Sequence, residues 1–275
     1  MLTYLDNGTL TLEIHLSTLK QAEPTIFVPS NPFSDNMLKV FFNNEEKSDI
    51  KFEVGGERES ATNRRKRTKT TATTFYASRL ILDVNAPALA DMCILGDEAA
   101  VPINGVVPEV FKMLLYFCYG GMVSEEELSV NAKAIIDAAD RFGIVNLKLQ
   151  AEAVLTEQTD ITVDNMLDNL LYANSKNLAL FQEKIMDFVA ENGGKIVGKV
   201  SFSNVPGELM SDLLTAVARG KKPTGEAVPD DDLTLMRVNE LRKQLHNKGL
   251  SIDGSREAMI ALLRENSDSA DNESS

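Results

Sequence analysis

The chain has 275 residues, 43% of them hydrophobic and 25% charged, which predicts a folded protein with two or three small domains. No apolar run approaches the roughly 20 residues that span a bilayer, and the N-terminus alternates polar and apolar residues, so we expect no membrane segment and no secretory signal peptide. Two cysteines and two histidines lie far apart, which disfavours a zinc site or a histidine-based triad. We therefore expect a protein that is not an enzyme and needs no cofactor, metal or small-molecule substrate.

The formal net charge of −13 disfavours nucleic-acid binding by the chain as a whole. Two segments are nevertheless basic. One is the run RRKRTK at residues 64–69. The other is 233–264, where six Lys and Arg residues stand against three Asp and Glu residues, giving a net charge of +3. The basic character is therefore local.

The first 50 residues predict a strand, a connector and a short helix. Residues 9–16 (TLTLEIHL) alternate like a half-buried strand, and three prolines between residues 22 and 36 indicate a connector. Four large apolar residues then form a stripe at helical spacing: Met37, Leu38, Phe41 and Phe42. We call these four residues the dimer stripe. They are either ordinary core or the interface of a symmetric dimer, and their place after the connector and before the first strand favours the dimer.

Residues 49–54 (DIKFEV) predict a strand with Ile50, Phe52 and Val54 on one face. Residues 57–74 hold no apolar residue larger than alanine and predict a loop or a disordered segment. Helical patterns follow, among them a largely buried helix that begins at Pro108. Residues 220–232, with two prolines and two glycines, predict a linker, and residues 266–275 predict a disordered acidic tail.

Three blocks of sequence resemble the BTB/POZ domain in order and spacing. They are residues 75–92 (FYASRLILDVNAPALADM), 101–121 (VPINGVVPEVFKMLLYFCYGG) and 134–155 (AIIDAADRFGIVNLKLQAEAVL), preceded by Ser48-Asp49-Ile50 at the first strand. Ser78 replaces the histidine of the family pattern, and Asn85-Ala86 replaces an Arg-Ser pair. The resemblance implies an α+β fold, a small sheet covered by helices, over residues 33–156. It also implies a homodimer, for which we expect the dimer stripe to supply the contacts.

The resemblance continues on both sides of this region. Residues 1–32 resemble the last strand and connector of a MATH domain, as in MATH-BTB proteins, and residues 157–219 resemble the helical, BACK-like segment that follows BTB. Proteins of the MATH-BTB type link substrates to cullin-RING ubiquitin ligases. The cullin contact implied here would use Met92, Leu95, Asp97 and Tyr119, although Leu95-Gly96-Asp97 is a shortened form of the family's element.

Residues 233–265 resemble a SAP motif, a two-helix hairpin. Leu235, Val238, Leu241 and Leu245 fit its first helix, and Met259, Leu262 and Leu263 fit its second. Gly249 is placed to end the first helix in a left-handed conformation, and Ser255 to cap the second. The resemblance implies DNA binding through the following residues: Arg237, Arg242, Lys243, Lys248, Ser255 and Arg256. The alternative is a hairpin that binds protein.

The basic run adds a prediction of location. Arg64, Arg65, Lys66 and Arg67 fit a nuclear localisation signal in an exposed loop, or else a loop that is merely solvated. We expect a nuclear protein, with a cytoplasmic pool left open. Its function is then that of a substrate adaptor for a cullin-RING ligase that also binds DNA. The alternative is a DNA- or chromatin-associated scaffold or transcriptional regulator without a ligase role.

Overall fold

The computed structural model describes residues 32–55, 72–93, 99–196, 205–219 and 233–272. The chain divides after residue 32 into two units, of which the second covers residues 33–275. The MATH-like strand, the linker at 220–232, Leu95 and Asp97 lie outside the described residues, as does the nuclear-localisation run. The helices and strands of the second unit build the sheet, its helical cover and the C-terminal hairpin.

A three-stranded sheet forms the centre of the N-terminal part of this unit, with strands β1 (Ile50–Val54), β2 (Thr73–Ala77) and β3 (Val101–Ile103) in the order β2-β1-β3. Strand β1 pairs antiparallel with β2 and parallel with β3. Phe52 and Val54 are buried, so the predicted β1 face is confirmed. The predicted loop ends earlier than residue 74, because the β-branched Thr73 and Thr74 already pair with β1.

Eleven α-helices surround or follow the sheet in the described part of the chain. They are α1 (Phe33–Phe41), α2 (Arg79–Asn85), α3 (Pro87–Asp91), α4 (Pro108–Cys118), α5 (Glu125–Phe142), α6 (Val145–Gln158), α7 (Met166–Ser175), α8 (Ala179–Ile196), α9 (Gly207–Arg219), α10 (Val238–Asn247) and α11 (Arg256–Asn272). The mixed α+β class is as predicted, and α4 begins at Pro108 as expected.

Aromatic rings join the sheet to the helices. Phe111 of α4 meets Phe52 of β1 at 5.3 Å, Phe75 of β2 at 5.4 Å and Phe142 of α5 at 6.2 Å between ring centroids, all edge to face. This geometry is favourable for ring quadrupoles and adds to the burial of large apolar areas. The core of the N-terminal part is therefore centred on Phe111.

The helical extension is continuous with that core. Helix α6 runs to Gln158, so the predicted boundary between residues 156 and 157 falls inside a helix and not between two domains. Buried side chains of α7 and α8, among them Leu170, Phe181 and Ile185, belong to the same apolar cluster as Phe111. Leu209 and Leu213 of α9 also belong to this cluster. Residues 33–219 therefore share one core wherever they are described, and we call this part the body.

The hairpin of α10 and α11 has a second, smaller core. Its buried members from the hairpin are Val238, Leu241, Leu245, Met259, Ile260 and Leu263. The prediction for Leu235 is wrong: it lies before α10 and is exposed, because α10 begins only at Val238. The predicted disordered tail is also corrected, since α11 continues to Asn272. Extending a formed helix adds one hydrogen bond per residue without a new nucleation cost.

None of the described helices is both long and apolar enough to cross a membrane.

Candidate nucleic-acid interface and its contacts with the body

The turn of the hairpin has the predicted local geometry. Gly249 has a φ of +69°, a left-handed conformation that favours glycine, and Leu250 N donates to Leu245 O at 2.9 Å. Ser255 precedes α11, and its Oγ accepts a hydrogen bond from Ala258 N at 3.3 Å, so it caps the helix as predicted.

Arg256 does not point outward from the start of α11. Its Nη2 donates to the backbone oxygens of Thr234 at 2.8 Å and Met236 at 2.7 Å, and the side chain is half-buried. It thus fastens the segment before α10 to the beginning of α11. The prediction that Arg256 contacts phosphate is corrected to this structural role, because the two carbonyls hold its guanidinium within the hairpin.

Arg242 crosses from the hairpin to the body. Its Nη2 lies 2.7 Å from Oε2 of Glu152 on α6, and the Arg242 side chain is only 12% exposed. Its Nε is buried without a hydrogen-bond partner among the described residues, which typically costs about 1–3 kcal/mol. Arg242 is therefore a buried contact to the body and not an outward-facing DNA contact.

Glu152 is fully buried and serves two elements at once. Its Oε1 accepts hydrogen bonds from Leu180 N at 2.8 Å and Phe181 N at 3.3 Å, in the first turn of α8. A carboxylate at this position satisfies backbone donors that a helix leaves unpaired, and it interacts favourably with the positive end of the helix dipole. Glu152 thus caps α8 and holds Arg242.

Arg237 forms a second contact between the hairpin and the body. Its Nη1 and Nη2 lie 3.0 and 2.6 Å from the two carboxylate oxygens of Asp187 on α8, and its Nε lies 3.4 Å from Glu183. The hydrogen bond to Asp187 raises the pKa of Arg237. Burial raises the pKa of Glu183, although Val238 N donates to Glu183 at 3.1 Å and opposes the shift.

Lys148 of α6 forms the third contact and is 2% exposed. Its Nζ lies 3.0 Å from Asp253 in the hairpin turn and 2.9 Å from Asp140 of α5. Burial alone would lower the pKa of Lys148, but the hydrogen bonds to Asp140 and Asp253 outweigh burial and raise it. The ammonium is therefore held in its charged form between the two carboxylates.

Few apolar residues of the body join these ionic contacts. Among the described residues, Ala179 is the one buried body residue in the hairpin core, with the half-buried Leu180 beside it. Leu178 forms a single parallel β-bridge with Gly254. We call the whole set of contacts between residues 233–272 and helices α6 and α8 the hairpin–body interface. Charged pairs supply most of its specific contacts.

Three of the predicted DNA contacts are exposed, but one of them, Arg237, is held by the ion pairs described above. Lys243 and Lys248 are exposed and form no ion pair within the described ranges. Arg264 on α11 is also exposed, and the prediction missed it although it lies in the same basic segment. The accessible basic surface is thus smaller than the sequence implied.

Sequence reasoning also missed the charged partners in the body. Lys148 and Glu152 lie one helical turn apart, beside the buried Leu147, Ala151 and Leu155. Charged residues on an otherwise buried helix face are usually paired, so the spacing itself was a usable signal. Their partners, however, lie 105 and 90 residues away.

The dimer stripe packs largely against its own chain. All four of its residues are half-buried against the main core, and Phe42 meets the ring of Tyr116 at 5.4 Å and that of Tyr119 at 6.0 Å. The more exposed apolar residues of α1 are Phe33, at 65%, and Val40, at 43%. With Met37 they follow the i, i+4, i+7 spacing of one helix face, which could have identified them.

Of the two predicted cullin contacts that the structure describes, one is exposed and one is buried. Met92, after α3, is 36% exposed. Tyr119 is buried, and its hydroxyl oxygen accepts a hydrogen bond from Ser78 N at 2.8 Å. The prediction that Tyr119 is a surface contact is therefore wrong, because this aromatic residue fills the core beside Phe42 and joins the start of α2 to the end of α4.

Comparisons with known proteins match two separate parts of the chain. A BTB/POZ domain model matches residues 38–159, and a SAP domain model matches residues 232–266. "BTB/POZ and MATH domain-containing protein 3" of Arabidopsis thaliana is 26% identical over 204 residues, which cover 67% of this chain and 46% of that protein. "TD and POZ domain-containing protein 1" of Mus musculus is 28% identical over 93 residues, covering 34% of this chain and 25% of that protein. The matched region thus spans less than half of either relative.

Proposed function

We propose that this protein is a homodimeric adaptor that binds DNA through its hairpin. The proposal is supported by the matches to a BTB/POZ domain and a SAP domain, both of which are non-enzymatic interaction domains. The observation that carries the DNA part is the exposure of Lys243 and Lys248 on a hairpin whose segment is basic within an acidic chain. Exposed lysines attract the phosphate backbone without reading bases. Pairing two hairpins in one dimer would add avidity.

The DNA proposal is tested with the variant Lys243→Glu/Lys248→Glu of the full chain. A fluorescent duplex of about 20 base pairs reports affinity across a salt series. We expect the variant to bind at least about tenfold more weakly, with the log–log salt slope reduced by about two. The matched control is Lys47→Glu/Lys112→Glu, which makes the same charge change at exposed positions of the body. Equal losses in both variants, or no binding by the natural sequence, would contradict the proposal.

The dimer proposal is supported by Phe33 and Val40, which leave apolar surface exposed on α1 beside the half-buried dimer stripe. Light scattering after gel filtration should give the mass of a dimer for the natural sequence. Phe33→Ser/Val40→Ser should shift it to a monomer, because burial of these side chains would no longer favour association. Leu214→Ser, at an exposed position of α9, serves as the control and should remain dimeric. A monomeric natural chain would refute the dimer.

A narrower role as a substrate adaptor of a cullin-RING ubiquitin ligase is our second proposal. It is supported by the exposed Met92 and Met122, which leave apolar side chains available at two places on the BTB/POZ domain. A cullin N-terminal domain should retain the natural chain at micromolar concentration and should lose Met92→Glu, while Leu214→Glu is retained. If the natural chain is not retained, the ligase role is removed and a DNA-associated scaffold or transcriptional regulator remains.

We further propose that the protein acts in the nucleus, on the strength of the basic run at residues 64–67. A fluorescent fusion with Arg64, Arg65, Lys66 and Arg67 changed to alanine should move to the cytoplasm. Nuclear accumulation that is unchanged by these substitutions would show that the run is not the signal.

A further inference from the structure

The hairpin–body interface engages the very side chains that would otherwise contact nucleic acid. Arg237 is held by Asp187 and Glu183, and Arg242 by Glu152. We propose that these carboxylates of the body compete with DNA phosphates for Arg237 and Arg242, an inference that rests on the proposed DNA binding. The docked hairpin is then a closed form with weakened nucleic-acid binding, and its release exposes the full basic surface.

The chemistry of the two acceptors supports competition. A guanidinium presents paired N–H donors that match a carboxylate or a phosphate in the same bidentate geometry. Asp187 accepts from both Nη atoms of Arg237, so a phosphate cannot occupy that edge while the pair is closed. Arg242 faces α6 and is largely shielded from water, so it also cannot reach a duplex while the hairpin is docked.

The hairpin is built so that it can leave without losing its own core. In the described part of the chain, six of the seven buried residues in its apolar cluster belong to the hairpin, and only Ala179 comes from the body. Release mainly breaks the three charged contacts of Arg237, Arg242 and Lys148. Undocking would return the shielded Arg242 and Lys148 to water, where the Arg242 Nε would find an acceptor that it lacks among the described residues.

The competing arrangement is a hairpin that stays docked and meets DNA through Lys243 and Lys248 alone. In that case Arg237 and Arg242 are purely structural, and weakening the hairpin–body interface would not raise DNA affinity. The two arrangements therefore predict different results for a substitution that acts only on the body side of the interface.

The decisive variant is Asp187→Lys in the full chain, compared with Glu191→Lys. Both positions lie on α8 one turn apart with side chains that reach solvent, and both substitutions make the same charge change, but Asp187 is the one that contacts Arg237. We expect Asp187→Lys to bind the duplex about three- to tenfold more tightly than Glu191→Lys. Hydrogen exchange of the α10 amides should also quicken in Asp187→Lys alone, which reports release without reference to DNA.

The two measurements separate the possible outcomes. Faster exchange with unchanged affinity, or no difference between the variants in either measurement, overturns the competition. If no form binds DNA, the proposed DNA binding itself fails and the competition fails with it. Tighter binding by Asp187→Lys together with faster exchange supports the competition.

Discussion

Glu152 allows a sharp test of how the hairpin and the body are joined. The perturbation is Glu152→Ala, which removes the acceptor for Leu180 N and Phe181 N and the partner of Arg242. Losing a helix cap typically costs about 1 kcal/mol. Losing a hydrogen bond to a charged group costs about 1.5–3 kcal/mol. Under the release proposed above, the hairpin would move away and rehydrate the guanidinium, which limits the loss on the Arg242 side. We therefore expect the free energy of unfolding to fall by about 3 kcal/mol.

Glu152→Gln separates the two contributions. The amide oxygen of glutamine can still accept from the α8 amides, whereas the negative charge that faces Arg242 is gone. We expect this variant to lose about 1–2 kcal/mol, roughly the charge-assisted part of the contact. Glu157→Ala, at an exposed position of the same helix, is the control and should stay within about 0.5 kcal/mol of the natural sequence.

The assay is urea denaturation of the full chain followed by circular dichroism, with linear extrapolation to water. A double-mutant cycle that combines Glu152→Ala with Arg242→Ala isolates the pair, and we expect a coupling energy of about 2 kcal/mol. A coupling energy below about 0.5 kcal/mol, with Glu152→Ala no worse than Glu157→Ala, would refute the reasoning. The pair would then contribute nothing in solution, and the hairpin would be held by other contacts.

Three further predictions concern single residues. The pKa of Lys148 is raised in the folded chain, so the stability that its charge contributes is complete below the unfolded pKa and is lost as pH rises through the folded pKa. The free energy of unfolding should therefore fall above about pH 10.5, and Lys148→Met should flatten that part of its pH profile. Gly121→Ala should lower the melting temperature because its Cβ would overlap the Tyr116 ring, whereas Gly194→Ala, in α8 where a Cβ would meet no described atom, should stabilise by about 0.5–1 kcal/mol. Burial raises the pKa of Cys118 to about 12, so this thiol should resist a thiol-specific reagent at about pH 8 until urea unfolds the chain; rapid labelling of the native protein would contradict its burial.

Local patterns predicted local structure well. The alternation in residues 49–54 identified β1 with its buried face, and the proline at residue 108 marked the start of α4. The hairpin followed from two apolar stripes, a left-handed glycine and a serine cap, all of which act within a few residues. The errors concerned the ends of helices. Helix α6 continues across the predicted domain boundary, and Leu235 lies outside α10, because helix ends depend on capping and packing more than on the apolar period.

The partner of a charge was not predictable in the same way. The basic residues in 233–264 looked like one DNA-binding set, because the sequence gives their number and the sign of their charge but not their partners. Only the tertiary structure divides them, because Arg242 meets a carboxylate 90 residues away and Arg237 one 50 residues away. The same holds for Tyr119, which a motif placed at a surface and packing placed in the core.

The sequence by itself determined the two domains and their order, because each is specified by short-range periodicity, capping and turn residues within its own segment. Only the tertiary structure decided which charged groups are paired. That choice depends on which helix faces meet once the chain has collapsed, because a buried arginine is tolerated only where acceptors face it, as the Glu152 carboxylate faces Arg242. Lys243 and Lys248 stay exposed without an ion pair among the described residues, whereas the exposed Arg237 and the shielded Arg242 join the hairpin to the body.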